Sequence, residues 1–363
     1  MKKYNFYLFT ILLFMASCSG GNNDSITDNS NDEQPDDDTP DVWSIPVSDV
    51  KDGGPGKDGI PSIDNPKFID ANQAVFLTDN LLIVGIVKDN VIRAYPHKIL
   101  DWHEIVNDNI GGDFVAINYC PLTGTSFGWE GKTGGALSTF GVSGLLYNAN
   151  LILYDRETNS NWSQLKLECV NGDLIGDKPN LVNVVETTWG TWRSLYPNTK
   201  VLSTDTGINR NYERIAYEGY SDGDTYFIFP PEFINTALPN KERVHAIIDE
   251  GKSKVYQFHN FSGGKVIKDF FSGENYLVAG NENLIYSYKL EGDYVNLNFE
   301  YDFNSSEGEG VFFKDNEGNK WSVFGEAIEG SRIGQRLTPS KSVMSYWFAI
   351  AVFYPNPEIY SNP

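Results

Sequence analysis

The chain has 363 residues, with 49 acidic against 28 basic side chains and a formal net charge of −21. That balance excludes a partner whose recognition rests on negative charge, so neither nucleic acid nor anionic lipid headgroups are expected to bind. Three cysteines exclude a disulfide-stapled scaffold, whereas 20 Tyr, 22 Phe and 8 Trp supply the bulk for a large core.

The N-terminus has the order of an export signal. Lys2 and Lys3 give a positive start, Tyr4 to Met15 is apolar apart from Asn5 and Thr10, and Ala16-Ser17 is a small pair before Cys18. The apolar run is too short to cross a bilayer, so residues 1–17 read as a cleaved signal peptide. Met15-Ala16-Ser17-Cys18 resembles a bacterial lipobox, which makes Cys18 the expected lipidation site and new N-terminus. Acyl chains contribute about 0.8 kcal/mol per buried methylene, so a multiply acylated Cys18 would hold the protein on a membrane. Residues 18–41 follow as a Ser, Asn, Gly, Pro and acid stretch with no base, which cannot bury enough apolar surface to fold and reads as a disordered tether. Removing its eight acids and the two lysines leaves 26 bases against 41 acids from Val42 onward, a net −15. The expected setting is the bacterial cell envelope, including the outer membrane, with the folded part facing the periplasm or the cell surface.

The remaining residues, 42–363, are rich in β-formers and punctuated by glycine, and they compare with themselves. Trp162 is followed by Gly172, Gly176, Trp189, Pro197, Asn198 and Val201; Trp321 is followed by Gly330, Gly334, Trp347, Pro355, Asn356 and Ile359. From the first glycine onward the spacings are identical. Gly85-Ile86-Val87 before Ala94-Tyr95 likewise matches Ala246-Ile247-Ile248 before Val255-Tyr256. The expected fold is therefore α+β and β-rich: two tandem pseudo-repeats, about 81–202 and 243–360, of antiparallel strands plus short helices packed as one globular unit. Each repeat should open with a hairpin, Leu82 to Val87 with Val91 to Tyr95 and Val244 to Asp249 with Lys254 to Phe258. Each should end in a short helix, around Trp189 to Leu195 or Val343 to Phe353, and a last strand after Pro-Asn.

The repeat also separates structure from chemistry. Strand Phe114 to Tyr119 aligns near Tyr276 to Ala279, but Cys120-Pro121-Leu122-Thr123-Gly124-Thr125 follows the first and Gly280-Asn281-Glu282-Asn283 the second. Trp102-His103-Glu104 likewise stands where the second half has Asp269-Phe270-Phe271. Polar chemistry is thus concentrated in the first half.

Several stretches resemble the bacterial domain-of-unknown-function family 3179. They are Ile60-Pro61-Ser62-Ile63-Asp64-Asn65-Pro66, Arg93-Ala94-Tyr95-Pro96, Trp102 to Asp108, Tyr119-Cys120-Pro121-Leu122, Thr139 to Asn148, and Tyr154-Asp155-Arg156 with Trp162-Ser163-Gln164. The resemblance implies a Cys-Pro-Leu-Cys loop, with selenocysteine at the Cys120 position in some members, and hence redox or nucleophilic chemistry. Here Thr123 replaces the second cysteine, which removes an internal Cys-x-x-Cys disulfide.

On that footing Cys120 is the candidate catalytic thiol, His103 its activating base or cation, and Thr123 a donor to the thiolate. Glu104, Tyr147, Asn148, Asp155, Arg156, Trp162 and Gln164 are candidate binding residues. A thiol partner would complete the chemistry through a sulfenic acid or a mixed disulfide. The alternative is a non-catalytic binding module, for a soft metal through Cys120 and His103 or for a glycan or peptide, or a structural envelope lipoprotein. Cys169 reads as a small packed residue, His245 and His259 as structural, His97 as incidental, and Asp222-Gly223-Asp224 as a turn. No P-loop, His-Glu-x-x-His or paired Cys-x-x-Cys motif points to a cofactor or a metal.

Overall fold

The computed structural model of the protein describes residues 42–303 and 310–361. The expected signal peptide, the expected lipidation site Cys18 and the expected tether lie outside the described residues. What is described is β-rich, with three short α-helices: α1 (His97–His103), α2 (Trp189–Leu195) and α3 (Trp347–Phe353).

Tight hairpins build the sheets. Leu82–Lys88 and Val91–Pro96 are joined by Asp89-Asn90, both at positive φ, and Arg243–Asp249 and Lys252–Gln257 by Glu250-Gly251, again both positive. That is the mirror-image turn whose twist suits adjacent antiparallel strands, and Asp, Asn and Gly tolerate it best. Asn148 and Ala149 make the same kind of turn between Phe140–Tyr147 and Asn150–Asp155.

In the first half one sheet runs Val185–Thr188, Leu82–Lys88, Val91–Pro96, Lys200–Leu202 and Phe68–Asp70; Lys200–Leu202 joins Val91–Pro96 in parallel. A second runs Leu181–Val182, Thr125–Glu130, Asp113–Cys120 and Ile105–Ile110, and a third Val50–Asp52, Phe140–Tyr147, Asn150–Asp155, Asn161–Ser163 and Glu168–Asn171. After residue 242 the sheets run Ser342–Tyr346, Arg243–Asp249, Lys252–Gln257, Glu358–Ile359; then Lys265–Phe271, Glu274–Gly280, Ile285–Lys289, Thr338–Pro339; then Phe299–Tyr301, Val311–Asp315, Lys320–Ser322, Ala327–Glu329. Glu358–Ile359 joins Lys252–Gln257 in parallel.

Two expectations shift. The helix expected over 343–353 begins only at Trp347, because Ser342–Tyr346 pairs with Arg243–Asp249 as a strand. Trp102 to Glu104 and Asp269 to Phe271, set side by side in the sequence, differ in structure, the first ending α1 and the second lying in strand Lys265–Phe271. Asp269 accepts from the Tyr256 hydroxyl at 2.9 Å, as Asp108 does from Tyr95 at 2.5 Å.

Each half lends a helix to the other's core. Trp347, Phe348 and Ile350 of α3 pack with Cys120, Trp129, Leu153 and Trp162, whereas Trp189, Trp192 and Leu195 of α2 pack with Leu277, Tyr288, Trp321 and Phe324. Burying such large side chains stabilises by roughly 1.5–3 kcal/mol apiece, so neither half keeps its core without the other. Between the halves, residues 203–242 form an irregular connection of turns and bends.

Candidate functional site

Cys120 ends strand Asp113–Cys120, and its side chain is 1% exposed. Pro121 to Gly124 turns back tightly, with the Gly124 amide donating to the Cys120 carbonyl at 2.8 Å, and strand Thr125–Glu130 follows. The Cys120 Sγ lies 3.6 Å from the Ala149 carbonyl as donor. Burial pushes its pKa up to about 11, and the nearby Glu104 carboxyl pushes the same way; hydrogen bonds from Thr123 and the Leu151 backbone oppose them. At pH 7 only about one thiol in 10,000 is then ionised, so the resting group is a protonated thiol.

A fully buried polar network lies beside it. Thr123 and Thr125 share a hydrogen bond of 2.9 Å, the Asn150 amide donates to Thr123 at 2.9 Å and to Gln164 at 2.8 Å, and Gln164 donates to Asn118 at 2.9 Å. The structure thus brings together Cys120, Thr123 and Gln164, with Glu104 acting on the thiol electrostatically.

His103 belongs elsewhere. It closes α1, and both ring nitrogens are engaged, Nδ1 with the Pro61 carbonyl at 2.7 Å and Nε2 with the Tyr212 hydroxyl at 2.6 Å. Neither bonds to the sulfur. Burial lowers the imidazole's pKa, which disfavours the cation a thiolate would need. The remaining candidates are spread through the fold. Asp155 is fully buried and accepts from Trp162 Nε1 at 2.9 Å and the Thr158 amide at 2.7 Å, and Arg156 spans to Asp64 at 3.0 Å and Ser62 at 2.8 Å. Tyr147 packs its ring against Phe353, and Asn148 accepts from the Glu232 amide at 3.0 Å. Cys120 and Cys169 are both free thiols; burial also raises Cys169, to about 12, and it donates to the Asn171 carbonyl at 3.3 Å. His245 is buried, with Nε2 2.7 Å from Ser287.

The connection 203–242 covers the Cys120 region with tyrosines. Tyr212 holds His103, the Tyr217 hydroxyl reaches Glu104 at 3.5 Å, and Tyr220 donates to the Leu122 carbonyl at 2.9 Å. Gly219-Tyr220-Ser221-Asp222-Gly223 in this segment fits a Gly-x-Ser-x-Gly pattern, but no strand enters it and no helix leaves it, and Ser221 Oγ donates to Asp222 at 3.2 Å. It lacks the strand-turn-helix setting of a nucleophile elbow.

In front of these tyrosines opens a cleft of about 640 Å3. Tyr119, Tyr217, Tyr220 and Tyr346 line it, together with His97, Asp101, Lys241 and Arg243. A shallower hollow of about 460 Å3 shares Ser221, Lys241 and Arg243 with it. His97 and Asp101 are one helical turn apart on α1 and so share a face. His97 packs on Tyr119 with ring centroids 4.2 Å apart, and its Nε2 is buried without a hydrogen-bond partner, 3.6 Å from Glu186. Burial, seconded by the Arg243 charge, holds His97 neutral well below the usual range. Burial raises Asp101 to about 7 against a hydrogen bond from Tyr119, and Glu104 to about 8 against one from Tyr217. Burial lowers Lys241 to about 8 against the pull of Asp224. Displaced titratable groups converging on an open, aromatic-walled cleft are the general mark of a functional site.

A family model described as a protein of unknown function, DUF3179, matches residues 57–357, most of the chain. The chain belongs to the DUF3179 family. No curated protein matches it, and no solved structure does. The match takes in the cleft and the thiol loop alike, so both are features of the DUF3179 region rather than of the flanks. No helix among the described residues of this DUF3179 protein is long and apolar enough to cross a membrane. No cluster of three His, Cys, Asp or Glu side chains suited to a metal occurs among those residues either.

Sequence reasoning centred on Cys120 passed over His97, Asp101, Lys241 and the three tyrosines 212, 217 and 220. The i, i+4 spacing of His97 and Asp101 was the available signal. The other, a Tyr-rich connection of some forty residues between two strand-rich halves, is far longer than a structural loop needs to be.

Proposed function

We propose that this DUF3179 protein is an envelope lipoprotein, exported by its N-terminal signal and anchored at Cys18, whose folded part binds a small ligand in the cleft beneath the 203–242 connection. The contrast between cleft and thiol carries the proposal: the cleft is open, tyrosine-walled and lined with displaced acids and bases, whereas the Cys120 sulfur behind it is sealed and protonated. Its membrane partner is reached through Cys18 and the acidic tether, and the net negative charge of the folded part argues against nucleic acid. Soaking crystals in a mixed set of small sugars, amino acids and aromatic acids tests it. Density between Tyr119, Tyr217 and Tyr346 is the expected result, and ligands found only at other surfaces would contradict it.

The cleft's position has a further rationale if residues about 81–202 and 243–360 are tandem pseudo-repeats. Supporting this, both halves repeat the order of a four-strand set closed by a parallel strand, and both fix a buried Trp indole on an Asp 2.9 Å away, Trp162 on Asp155 and Trp321 on Asp315. The cleft then opens where the first repeat hands over to the second.

A second reading keeps the thiol. Thr123 and Glu104 beside the sulfur favour it, with Glu104 rather than His103 as the proton acceptor. In that chemistry the connection opens, water reaches Glu104 so that its carboxyl gives its proton to solvent, and the thiol proton then passes to the Glu104 carboxylate. The sulfur then attacks a partner disulfide, forming a mixed disulfide and releasing the partner's other sulfur as thiolate.

A further inference from the structure

Lys241 is a nearly buried cation with no contact counter-ion; the Asp224 carboxylate, which accepts from the Lys241 backbone amide at 2.9 Å, acts on the ammonium only from beyond ion-pair distance. Its side chain is 8% exposed, and its ammonium donates to the carbonyls of Tyr220 at 2.9 Å and Tyr226 at 3.0 Å. The Tyr220 ring centroid is 3.3 Å away. Among the described residues no carboxylate comes within ion-pair distance of it, although the cleft and hollow it lines hold Asp101, Asp222, Asp224 and Glu242. Arg243, the next cation along, is already paired with Glu186. A buried charge whose direct partners are all neutral is costly, and a bound anion offsets that cost. Two carbonyls use two of the three ammonium protons, and the third has only aromatic rings for partners, a weaker contact that a ligand oxygen would displace.

We propose, building on the cleft as the binding site, that its ligand is a small hydroxylated ring carrying a single carboxylate, of the sugar-acid class, with the carboxylate on Lys241 and the ring between the tyrosines. Of the other cations lining the cleft, Arg243 is paired with Glu186, Lys98 with Glu213, and Arg214 is exposed to water, so Lys241 is the buried one left for the ligand's charge, and the carboxylates around it favour a monoanion over a dianionic phosphate. The walls formed by Tyr119, Tyr217, Tyr220 and Tyr346 suit the flat, partly apolar faces of a ring. The partnerless Nε2 of neutral His97 offers a hydrogen bond to a ring hydroxyl, in either tautomer.

The test compares glucuronate, its methyl ester, glucose and glucose 6-phosphate by calorimetry on the full-length protein. Glucuronate is expected to bind tighter than the ester by on the order of tenfold or more, since the ester keeps the hydroxylated ring but caps with a methyl group the charge that would meet Lys241. Lys241→Met should abolish that preference and Lys241→Arg should keep part of it; the wild-type comparison of acid with ester stands even if Lys241→Met folds poorly. Equal binding of acid and ester, tighter binding of the phosphate, or an unchanged preference in a folded Lys241→Met protein overturns the carboxylate assignment. If glucose and the ester bind in the cleft as well as the acid does, only this inference fails; if none of the four is seen there in crystals, both it and the binding proposal lose their support.

Discussion

Glu104 combines two costly features. Its backbone sits at φ +58°, a region that non-glycine residues seldom occupy, and its carboxyl is buried. The turn is locked by the Glu104 amide on the Leu100 carbonyl at 2.7 Å and by the Tyr119 amide on the Glu104 carbonyl at 2.7 Å. Strain of this kind persists where the surroundings over-determine it, and here it places a carboxyl beside the Cys120 thiol and under Tyr217. Its folded pKa is raised from 4.5 to about 8, so the folded state holds the proton more tightly than the unfolded one. The stability this confers is fully present below pH 4.5 and is lost as the pH climbs to about 8, where it levels off. Glu104→Gln removes that titration. Urea melts should therefore show the variant gaining on the wild type between pH 5 and pH 8, by about 3.5 kcal/mol. A stability difference flat across that range would mean that Glu104 is ionised in the folded state. Asp101, raised to about 7, contributes with the same sign and is present in both proteins; its charge also helps to raise Glu104, so only that mutual repulsion enters the difference.

The strand elements rest on a buried acid that the sequence advertised as a candidate binding group. Asp155 ends strand Asn150–Asp155 and gathers Thr158 and the Trp162 indole; Asp315 ends Val311–Asp315 and gathers Asn319, at 2.9 Å, and the Trp321 indole. Removing a buried acceptor strands its donors, so Asp155→Ala and Asp315→Ala should each cost about 2–4 kcal/mol in denaturant unfolding. If Asp155→Ala were neutral while ligand binding fell, Asp155 would return to the site. At this scale the sequence was a good guide. Both hairpins and helix α2 lie where periodicity and turn residues put them, because alternation of apolar side chains and Asp-Asn or Glu-Gly turns act locally. Helix α3 was drawn too long because Val343 to Tyr346 is apolar enough for either state, and pairing with Arg243–Asp249 decides for strand. Asn148 and Trp162 drew notice for their polarity and size, yet one is a turn residue and the other a core anchor.

Over the whole molecule, the functional groups come from places far apart in sequence: α1, the 203–242 connection and the start of the second half. No local pattern encodes such convergence. His97 and Asp101 owe their displaced pKa values to burial, and Tyr217 and Tyr220, more than 100 residues further along the chain, line the same space. The Cys120 loop was legible, but its sealing was not, because burial by a long irregular connection leaves no periodic trace. At the other end of the chain, the lipoprotein proposal predicts that Cys18→Ala shifts the protein from the membrane to the soluble fraction on cell fractionation, without altering the melting of its folded part. Retention of Cys18→Ala in membranes would remove the lipid anchor from the account.

The cleft and the thiol compete as the working site, and the rate of iodoacetamide labelling of native Cys120, followed from pH 6 to pH 10 by mass spectrometry, separates them. A protonated thiol shut behind Tyr217 and Tyr220 should label far more slowly than the unfolded chain, with no plateau below pH 9. Rapid labelling at neutral pH, with a midpoint at or below the ~8.5 of a free thiol, would contradict this and make Cys120 the centre of the chemistry.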